Sequence, residues 1–197
     1  PDGIHWAASK NNPILKLHSD TGNCAFWDPI LKTYVAYVRI HGNGRCVGRT
    51  ESTDFETWSE PEIVYPPSTK DRARKWDHYG HSVTPYEGLY VGLTWIFPVI
   101  PVSWDPKAHT PVTWPELTVS RDGRQWQRVA FGKPFLPPGP LGSFDHRQIR
   151  TASSLVVLED RILLLYSGSR DAHVRTHKFD IGLATLRLDG FASLDAG

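Results

Sequence analysis

The sequence predicts an all-β fold of the β-propeller type, in which small antiparallel sheets, the blades, repeat around an axis. Two observations lead to this fold class. The apolar segments are short and rich in β-branched and aromatic residues, and none has a capped helical period. A motif with aspartate four residues before tryptophan also recurs at intervals of about 50 to 70 residues, a spacing typical of repeated sheets. Its copies are Asp2…Trp6, Asp54…Trp58, Asp122…Trp126 and a degenerate Asp189…Ser193.

The chemistry of the motif suits a turn between two strands of one blade. Aspartate accepts hydrogen bonds from nearby backbone N–H groups, and glycine, which follows it in three of the four copies, tolerates positive φ. The tryptophan then offers a large apolar ring that can wedge between neighbouring blades. We therefore expect Trp58 and Trp126 to be mostly buried and to occupy equivalent positions.

The first predicted blade spans residues 20–66. Its strands are separated by the Asp28-Pro29 turn, by the glycines at 42 and 44, and by the Asp54 motif. The four strands are Asn23–Asp28, Tyr34–Arg39, Cys46–Glu51 and Glu62–Tyr65. Segment 66–76, which is basic and lacks periodicity, is interpreted as the connection to the next blade.

The second and third predicted blades span 80–136 and 143–190. The second contains strands at His81–Tyr86, Leu89–Trp95 and Leu117–Ser120 and ends near Phe131–Leu136, with the proline-rich insert 97–115 as a long loop. The third contains Thr151–Leu158, Ile162–Ser167 and Ile181–Leu188. Residues 1–19 are interpreted as the outer strand of another blade, at about 4–9, which should pair with the last blade at 181–188 unless the ends pair with another chain. The whole chain, 1–197, is thus predicted to be one partial β-propeller domain.

Composition restricts the partners that the chain can have. Net charge is +1 with both signs interspersed, so nothing favours a nucleic acid or a membrane surface. No apolar run approaches the roughly 18 residues of a membrane span. The chain has no methionine and starts inside a motif copy, so we expect an internal piece of a longer polypeptide. The open edges of the terminal blades could then pair with those of a second copy of the chain, so self-association is a further possible interaction.

The two cysteines, Cys24 and Cys46, fall on predicted strands that are not neighbours in the sheet. Strands separated by one other strand lie about 10 Å apart, too far for a disulfide. We therefore expect two buried free thiols, which say nothing about the redox compartment.

Polar clusters precede the innermost strand of each predicted blade. They lie at Asp20–Asn23, Asp77–His81 and Gly142–His146. Because the innermost strands of a propeller line its central channel, these clusters are expected to converge at one end of that channel. They supply the candidate site residues.

Several segments of the sequence resemble glycosyl-hydrolase-like five-bladed β-propeller proteins, the group around glycoside hydrolase families 32, 43 and 68. Within this group they are most similar to a bacterial branch. These segments are distributed over nearly the whole chain: Asp20–Pro29, Tyr34–Arg39, Gly48–Pro61, Thr84–Tyr90 and Ile181–Phe191. The resemblance implies five blades, of which about three and two halves are present, and an extracellular or periplasmic location. It also implies carbohydrate as partner and no cofactor.

The resemblance further implies a mechanism with carboxylates on the inner strands of successive blades. Asp20, Asp77 and Asp145 match those positions and are the candidate catalytic residues. The relatives use glutamate as the acid on a later blade, whereas no glutamate precedes an inner strand here, with Glu51 and Glu87 the nearest. Glycosidases need two carboxyl groups about 5–5.5 Å apart for retention or about 6.5–9.5 Å for inversion.

The remaining candidates would orient the substrate: Asn23, His78, Tyr79, His81, Arg147 and Glu87. Each has a structural alternative. Asp20 and Asn23 could cap their own turn, and His78 and His81 could hold a sugar, a metal or a structural hydrogen bond; we predict no metal. Asp145 could form an ion pair between blades, and Glu51 is expected to pair with Arg39 and Arg49.

Tryptophans outside the motif are expected either to pack between blades or to stack on sugar rings. Packing is expected for Trp95, whereas both alternatives remain open for Trp104 and Trp114. The predicted function is hydrolysis or transfer at a glycosidic bond through paired carboxylates. The alternatives are a non-catalytic propeller that binds carbohydrate or protein, and a purely structural array of blades.

Overall fold

The computed structural model describes residues 2–99, 112–171 and 178–192. Within these ranges the chain is all-β and is built from three antiparallel sheets. The single helix in the described part, α1 at Thr69–Ala73, has five residues, and no described helix is long and apolar enough to cross a membrane. The predicted all-β class is therefore confirmed.

The first sheet has the predicted four strands in the order β1-β2-β3-β4. Asp28 fixes the first turn by accepting hydrogen bonds from the backbone N–H groups of Ile30 and Leu31 at 2.9 and 3.1 Å. Gly44, at φ 94°, closes the β2–β3 hairpin in a conformation that disfavours other residues. The strands are β1 Cys24–Asp28, β2 Thr33–Gly42, β3 Gly44–Ser52 and β4 Glu62–Tyr65.

The second sheet begins earlier than predicted. Its first strand starts at Trp76 rather than near His81, so the cluster Asp77–His81 lies inside a strand and not before it. The final strand is only Gln127–Arg128, so the sheet ends a few residues before Phe131–Leu136, where the blade was expected to end. The order is β5-β6-β7-β8, with β5 Trp76–Tyr86, β6 Leu89–Pro98, β7 Trp114–Ser120 and β8 Gln127–Arg128.

The third sheet contains β9 Gln148–Thr151, β10 Val156–Val157, β11 Arg161–Ser169 and β12 Asp180–Arg187. Both β9 and β10 pair with β11, at its two ends. The predicted continuous strand Thr151–Leu158 is thus divided by a bend. The outer strand β12 leaves Ile181 and Leu183 largely exposed.

The short helix α1 lies in the segment interpreted as a connection. Ser68 and Asp71 form a capping box, in which the Ser68 hydroxyl accepts from the Asp71 N–H and the Asp71 carboxylate accepts from the Ser68 N–H. One turn is too short to produce a helical period, which explains why the sequence pattern did not indicate it.

The aspartate motif forms the same turn in its first three copies. In each, one carboxylate oxygen of Asp2, Asp54 or Asp122 accepts hydrogen bonds from the N–H groups two and three residues later, at 2.7–2.9 Å. The next residue has positive φ each time: 73° at Gly3, 66° at Phe55 and 68° at Gly123. These N–H donors, chiefly those of His5 and Thr57, lower the pKa of Asp2 and Asp54 to about 2.

The tryptophans of the motif do not all behave as predicted. Trp6 is 87% exposed, whereas Trp58 and Trp126 are mostly buried, as predicted. Residues 2–19 contain no strand, so the predicted pairing of a first strand with the last blade is wrong. In the fourth copy the Asp189 carboxylate accepts from the Tyr86 hydroxyl at 2.8 Å, and Ser193 lies outside the described residues.

Apolar residues pack between consecutive sheets and hold them together. Between the first and second sheets, Tyr37 is buried with Val83 and Tyr90, and Trp126 packs against them with its ring 5.7 Å from that of Tyr37. Between the second and third, Leu93 is buried with Leu164. Both cysteines are buried free thiols, as predicted, and burial raises the pKa of Cys24 to about 11.

Candidate functional site

A β-bulge in β5 positions the residue at the centre of the candidate site. Pairing shifts from His78↔Ile96 to Gly80↔Trp95, which leaves Tyr79 as the extra residue of the bulged strand. The lead-in to β1 lies directly against this point, since a Cβ on Gly22 would sit 2.5 Å from the Gly80 Cα. The bulge therefore brings Tyr79 next to the Asp20–Asn23 segment.

Three arginines, one from each of β2, β3 and β9, surround the Tyr79 ring. The guanidinium carbons of Arg39, Arg45 and Arg150 lie 5.1, 5.6 and 5.4 Å from its centroid, within the range of cation–π contacts. The Phe97 ring lies 5.0 Å from the same ring. We call these residues, together with Asp20 and Asp77, the Tyr79 cluster.

Two of the three predicted catalytic carboxylates belong to this cluster. Asp20 forms an ion pair with Arg39, and Asp77 Oδ2 accepts from Arg45 Nη1 at 2.9 Å. Asp20 is 67% exposed whereas the Arg39 side chain is only 4% exposed, so the pair joins a buried cation to a solvated anion. Asp20 is thus engaged by Arg39 and does not merely cap its own turn.

Asp145 makes its hydrogen bonds within the third sheet. Its two carboxylate oxygens accept from the Ser143 and Tyr166 hydroxyls at 2.7 and 2.9 Å, and the residue is buried. Burial and the adjacent Asp145 charge raise the pKa of Tyr166 to about 12. Arg147 is also buried, and its backbone N–H donates to the Ser169 carbonyl at 3.2 Å. These contacts support a structural role for Asp145 rather than the predicted catalytic one.

Asn23 lies beside the Tyr79 cluster, but its side-chain oxygen is used in hydrogen bonds within the protein. Its side-chain oxygen accepts from the Ser19 hydroxyl at 2.6 Å and from the Arg39 N–H at 3.3 Å. Glu87 is exposed at φ 46° in the β5–β6 hairpin turn. It lies at the opposite end of β5 from Asp77, so the structure does not bring these two candidates together.

His78 points away from Tyr79 into a buried group of charged residues. Arg128 Nη2 donates to His78 Nε2 at 3.0 Å, and His78 Nδ1 then donates to the Tyr65 carbonyl at 3.2 Å. The same guanidinium contacts Asp71 Oδ1 at 2.9 Å and Glu116 Oε2 at 3.2 Å. We call these residues the Arg128 network. His78 is therefore not placed to bind a sugar.

Burial and charged or hydrogen-bonding partners shift the pKa values of the two carboxyl groups in the Arg128 network in opposite directions. Burial alone would raise the pKa of Asp71, but the nearby His78 ring, 3.7 Å away, and hydrogen bonds from Ser68 and Arg128 lower it well below its usual range. For Glu116, burial prevails over Arg128 and raises the pKa of the carboxyl group. Each carboxylate also accepts further hydrogen bonds, Asp71 from Ser68 and Glu116 from Trp114 Nε1.

His81 is buried among aromatic rings. Its Nδ1 lies 2.9 Å from Thr94 Oγ1, and its ring meets Trp126 and Tyr37 edge to face at 4.4 and 5.6 Å. Burial lowers its pKa to about 3. In the part of the chain that the structure describes, no three His, Cys, Asp or Glu side chains are grouped to hold a metal ion.

The arginines of the Tyr79 cluster are the functional candidates that sequence reasoning missed. Arg39 was expected to pair with Glu51, but Glu51 pairs with Arg49 and Arg124. A signal was present, because period-2 alternation places Arg39 on the same face of β2 as the buried Val35 and Tyr37.

The tryptophans outside the motif are mainly structural. Trp95 is buried, as expected, and its Nε1 donates to Thr151 Oγ1 across two sheets at 2.8 Å. Trp114, left open by the sequence, is buried, with its ring 5.2 Å from that of Trp76. Trp104 lies outside the described residues.

Two grooves on the surface lie apart from Tyr79. One, of about 660 Å³, runs between the second and third sheets and is lined by apolar residues such as Phe135, Leu186 and Phe191. The other, of about 240 Å³, lies between the segment 14–19 and the first sheet and includes Trp58 and Asn23. Asp77 and Asp145 line neither groove.

Comparisons with known proteins give structural matches only. No family model matches the chain, and no curated protein matches it significantly in sequence. Among solved structures, an N-acetylgalactosamine deacetylase from F. plautii in complex with blood group B trisaccharide matches with a TM-score of 0.63 and 19% identity. The match covers 86% of this chain and 50% of that one.

Two further matches have different activities. The β-1,2-mannobiose phosphorylase from Listeria innocua has a TM-score of 0.55 at 19% identity, covering 82% of this chain and 40% of that one. Zg3597, a family 117 glycoside hydrolase from Zobellia galactanivorans, has a TM-score of 0.57 at 16% identity. That match covers 85% of this chain and 51% of Zg3597. The chain thus spans about half the length of these structures or less, and identities this low show the fold alone. The resemblance inferred from the sequence is confirmed: the chain has the fold of glycoside-hydrolase-like propeller proteins.

Proposed function

We propose that the chain forms three blades of a five-bladed, glycosidase-type propeller and that the Tyr79 cluster is its carbohydrate site. One observation carries the proposal: all three sheets contribute side chains to one place. Arg45 comes from the first sheet, Asp77 and Tyr79 from the second, and Arg150 from the third. Convergence of blades on a shared polar centre is the arrangement that the resemblance implies for a sugar site.

The side chains of the cluster suit sugar recognition. Guanidinium and carboxylate groups offer paired donors and acceptors that match the vicinal hydroxyls of a sugar. Phe179 is part-exposed beside Arg150, with 4.7 Å between its ring and the guanidinium carbon, and can present an apolar ring face. Carbohydrate is therefore the partner that this cluster fits best.

We assign the carboxylate chemistry to Asp20 and Asp77. Asp20 is exposed and forms an ion pair with Arg39, and we assign it the role of nucleophile or base. Asp77, held by Arg45, would orient the sugar. Glu116, whose pKa is raised, is fully buried in the Arg128 network and cannot reach a substrate.

A second candidate is non-catalytic carbohydrate binding. The ion pairs Asp20–Arg39 and Asp77–Arg45 favour it, because a carboxylate already engaged by a cation is less available for chemistry.

Two measurements on the full chain separate these candidates. A panel of nitrophenyl glycosides tests turnover, and calorimetric titration with oligosaccharides tests binding. We expect Asp20→Asn to abolish turnover while the melting temperature hardly changes, whereas Asp160→Asn, at an exposed aspartate paired with Arg161, leaves both intact. Binding without turnover would select the second candidate, and absence of both would reject the carbohydrate site.

A further inference from the structure

Two glycines meet beside the Tyr79 cluster, where the lead-in to β1 contacts β5. A Cβ on Gly22 would lie 2.5 Å from the Gly80 Cα, closer than real Cβ atoms approach a neighbour. Because that neighbour is backbone, no side-chain rotation could relieve the overlap. Gly22 is two residues from Asp20, and Gly80 directly follows Tyr79, so this contact links a candidate carboxylate to the central ring.

The Trp95 ring packs against Gly80 and leaves no space for a side chain there. A Cβ on Gly80 would lie 2.6 and 2.9 Å from the ring atoms Cε3 and Cδ2 of Trp95. The same tryptophan is buried with Tyr79 and Phe97 in one apolar cluster. Its Nε1 donates to Thr151 Oγ1 of the third sheet at 2.8 Å, which fixes the orientation of the ring. Trp95 thus connects the third sheet to the contact between the first and second sheets.

We propose that Trp95 is a positioning residue of the carbohydrate site, which sets the place of Tyr79 and, through Gly80 and Gly22, that of the Asp20 segment. This inference rests on the proposed function and adds a buried residue that acts through its neighbours. Close-packed interiors transmit displacements, because a group without free space beside it moves the groups around it. A binding site needs its side chains held within about 0.5 Å of the productive geometry, and a ring locked by packing and a hydrogen bond supplies that support.

Gly80→Ala tests the contact directly. Its methyl group would overlap the Trp95 ring, so the ring or β5 must shift, and Tyr79 shifts with it. Trp95→Leu removes ring atoms and makes room for that methyl group. The matched control is Gly48→Ala in the first sheet, where a Cβ would lie 2.6 Å from the Ile40 side chain, a similar overlap with a residue outside the Tyr79 cluster.

Calorimetric titrations of the full chain would use neutral trisaccharides of glucose, mannose, galactose and xylose, with circular dichroism to confirm that each variant is folded. For a trisaccharide that the wild type binds, we expect Gly80→Ala to weaken binding at least about tenfold, because the site loses its preorganised geometry. Gly80→Ala combined with Trp95→Leu should bind no more weakly than Trp95→Leu alone. This rescue separates positioning from a general loss of stability. Gly48→Ala should lower the melting temperature and keep the affinity.

The outcomes distinguish this inference from the proposed function. If Gly80→Ala does not fold, Trp95→Phe replaces it, since it keeps an aromatic ring but lacks the Nε1 donor to Thr151, and it should also weaken binding. Unchanged affinity in the folded variant, or a double variant that binds more weakly than either single one, would overturn the positioning role and leave the carbohydrate site standing. No binding of any trisaccharide by the wild type would reject the carbohydrate site and this inference with it.

Discussion

Two charged clusters begin at neighbouring residues of β5 and differ in how deeply their ion pairs are buried. His78 enters the Arg128 network, where one guanidinium contacts His78, Asp71 and Glu116 at 2.9–3.2 Å. Tyr79, displaced by the bulge, faces three arginines, of which Arg39 pairs with the exposed Asp20 and Arg45 with the part-buried Asp77. Both clusters join sheets.

The difference supports a structural role for the Arg128 network and the binding role proposed for the Tyr79 cluster. In the Arg128 network both carboxylates are wholly buried and accept several hydrogen bonds, so removal of one partner leaves a buried charge. In the Tyr79 cluster Asp20 and Arg45 contact solvent, where ion pairs contribute little to stability. Charged groups that stabilise the fold little and still converge on one ring are candidates for ligand binding.

Arg128→Met should have the largest effect on stability. The methionine fills most of the volume but leaves Asp71 and Glu116 without their shared cation, which should cost about 3–5 kcal/mol in the free energy of unfolding. Urea unfolding monitored by tryptophan fluorescence would measure it. The milder Arg128→Lys keeps a charge and serves if the methionine variant does not fold. A loss below about 1 kcal/mol for Arg128→Met would show that the network is not structural.

Acid should destabilise the protein through His81. Its pKa is about 3 in the native state against 6.5 normally, so the unfolded chain binds a proton first as the pH falls. The stability that the neutral, buried ring contributes is complete above pH 6.5 and declines towards pH 3. From pH 7 to pH 5 the loss should be about 2 kcal/mol.

The measurement must isolate His81 from Glu116. The raised pKa of Glu116 acts in the opposite direction, because a proton held in the native state stabilises the fold at low pH and is lost as the pH rises. The informative quantity is therefore the difference between wild type and His81→Asn at each pH. His5→Asn, at an exposed histidine, is the control. Equal pH slopes for wild type and His81→Asn would contradict the prediction.

Much of the fold could be predicted because strand alternation and turn chemistry are local properties. In the first sheet β4 has the predicted bounds, and the other strands differ from prediction by one to three residues at an end. Residues 2–19 show the limit of this reasoning. Asp2 forms its turn as predicted, yet Ile4 and Trp6 remain exposed and no strand forms. A local turn does not supply the neighbouring strand that a sheet requires.

The candidate site was harder to predict than the fold. The bulge at Tyr79 inserts a residue into β5 and breaks the alternation there, so the strand was predicted to start too late. The Arg128 network joins Asp71, from a segment that resembled a linker, to Arg128 more than fifty residues later. Such pairings arise from the packing of sheets, which a single sequence does not encode in any short motif.

Asp145→Asn tests whether Asp145 stabilises the fold, like the carboxylates of the Arg128 network, or serves function, as proposed for the Tyr79 cluster. The amide can accept from only one of the Ser143 and Tyr166 hydroxyls, and its NH2 group then meets a donor. We expect a loss of about 1–2 kcal/mol in the free energy of unfolding. Asp160→Asn, at an exposed position, should change it little. If stability were unchanged and turnover were lost, Asp145 would have a catalytic rather than a structural role.

Arg45→Gln should have the smallest effect on stability and therefore gives the sharpest comparison with Arg128. Both arginines contact an aspartate at 2.9 Å, so the length of the ion pair is the same. The Arg45 side chain is 30% exposed whereas that of Arg128 is 8% exposed, and water can replace the lost partner of Asp77 but not that of Asp71. We expect Arg45→Gln to cost less than about 1 kcal/mol in urea unfolding. A cost similar to that of Arg128→Met would mean that both clusters are structural, because a residue kept for binding should be removable without loss of the fold.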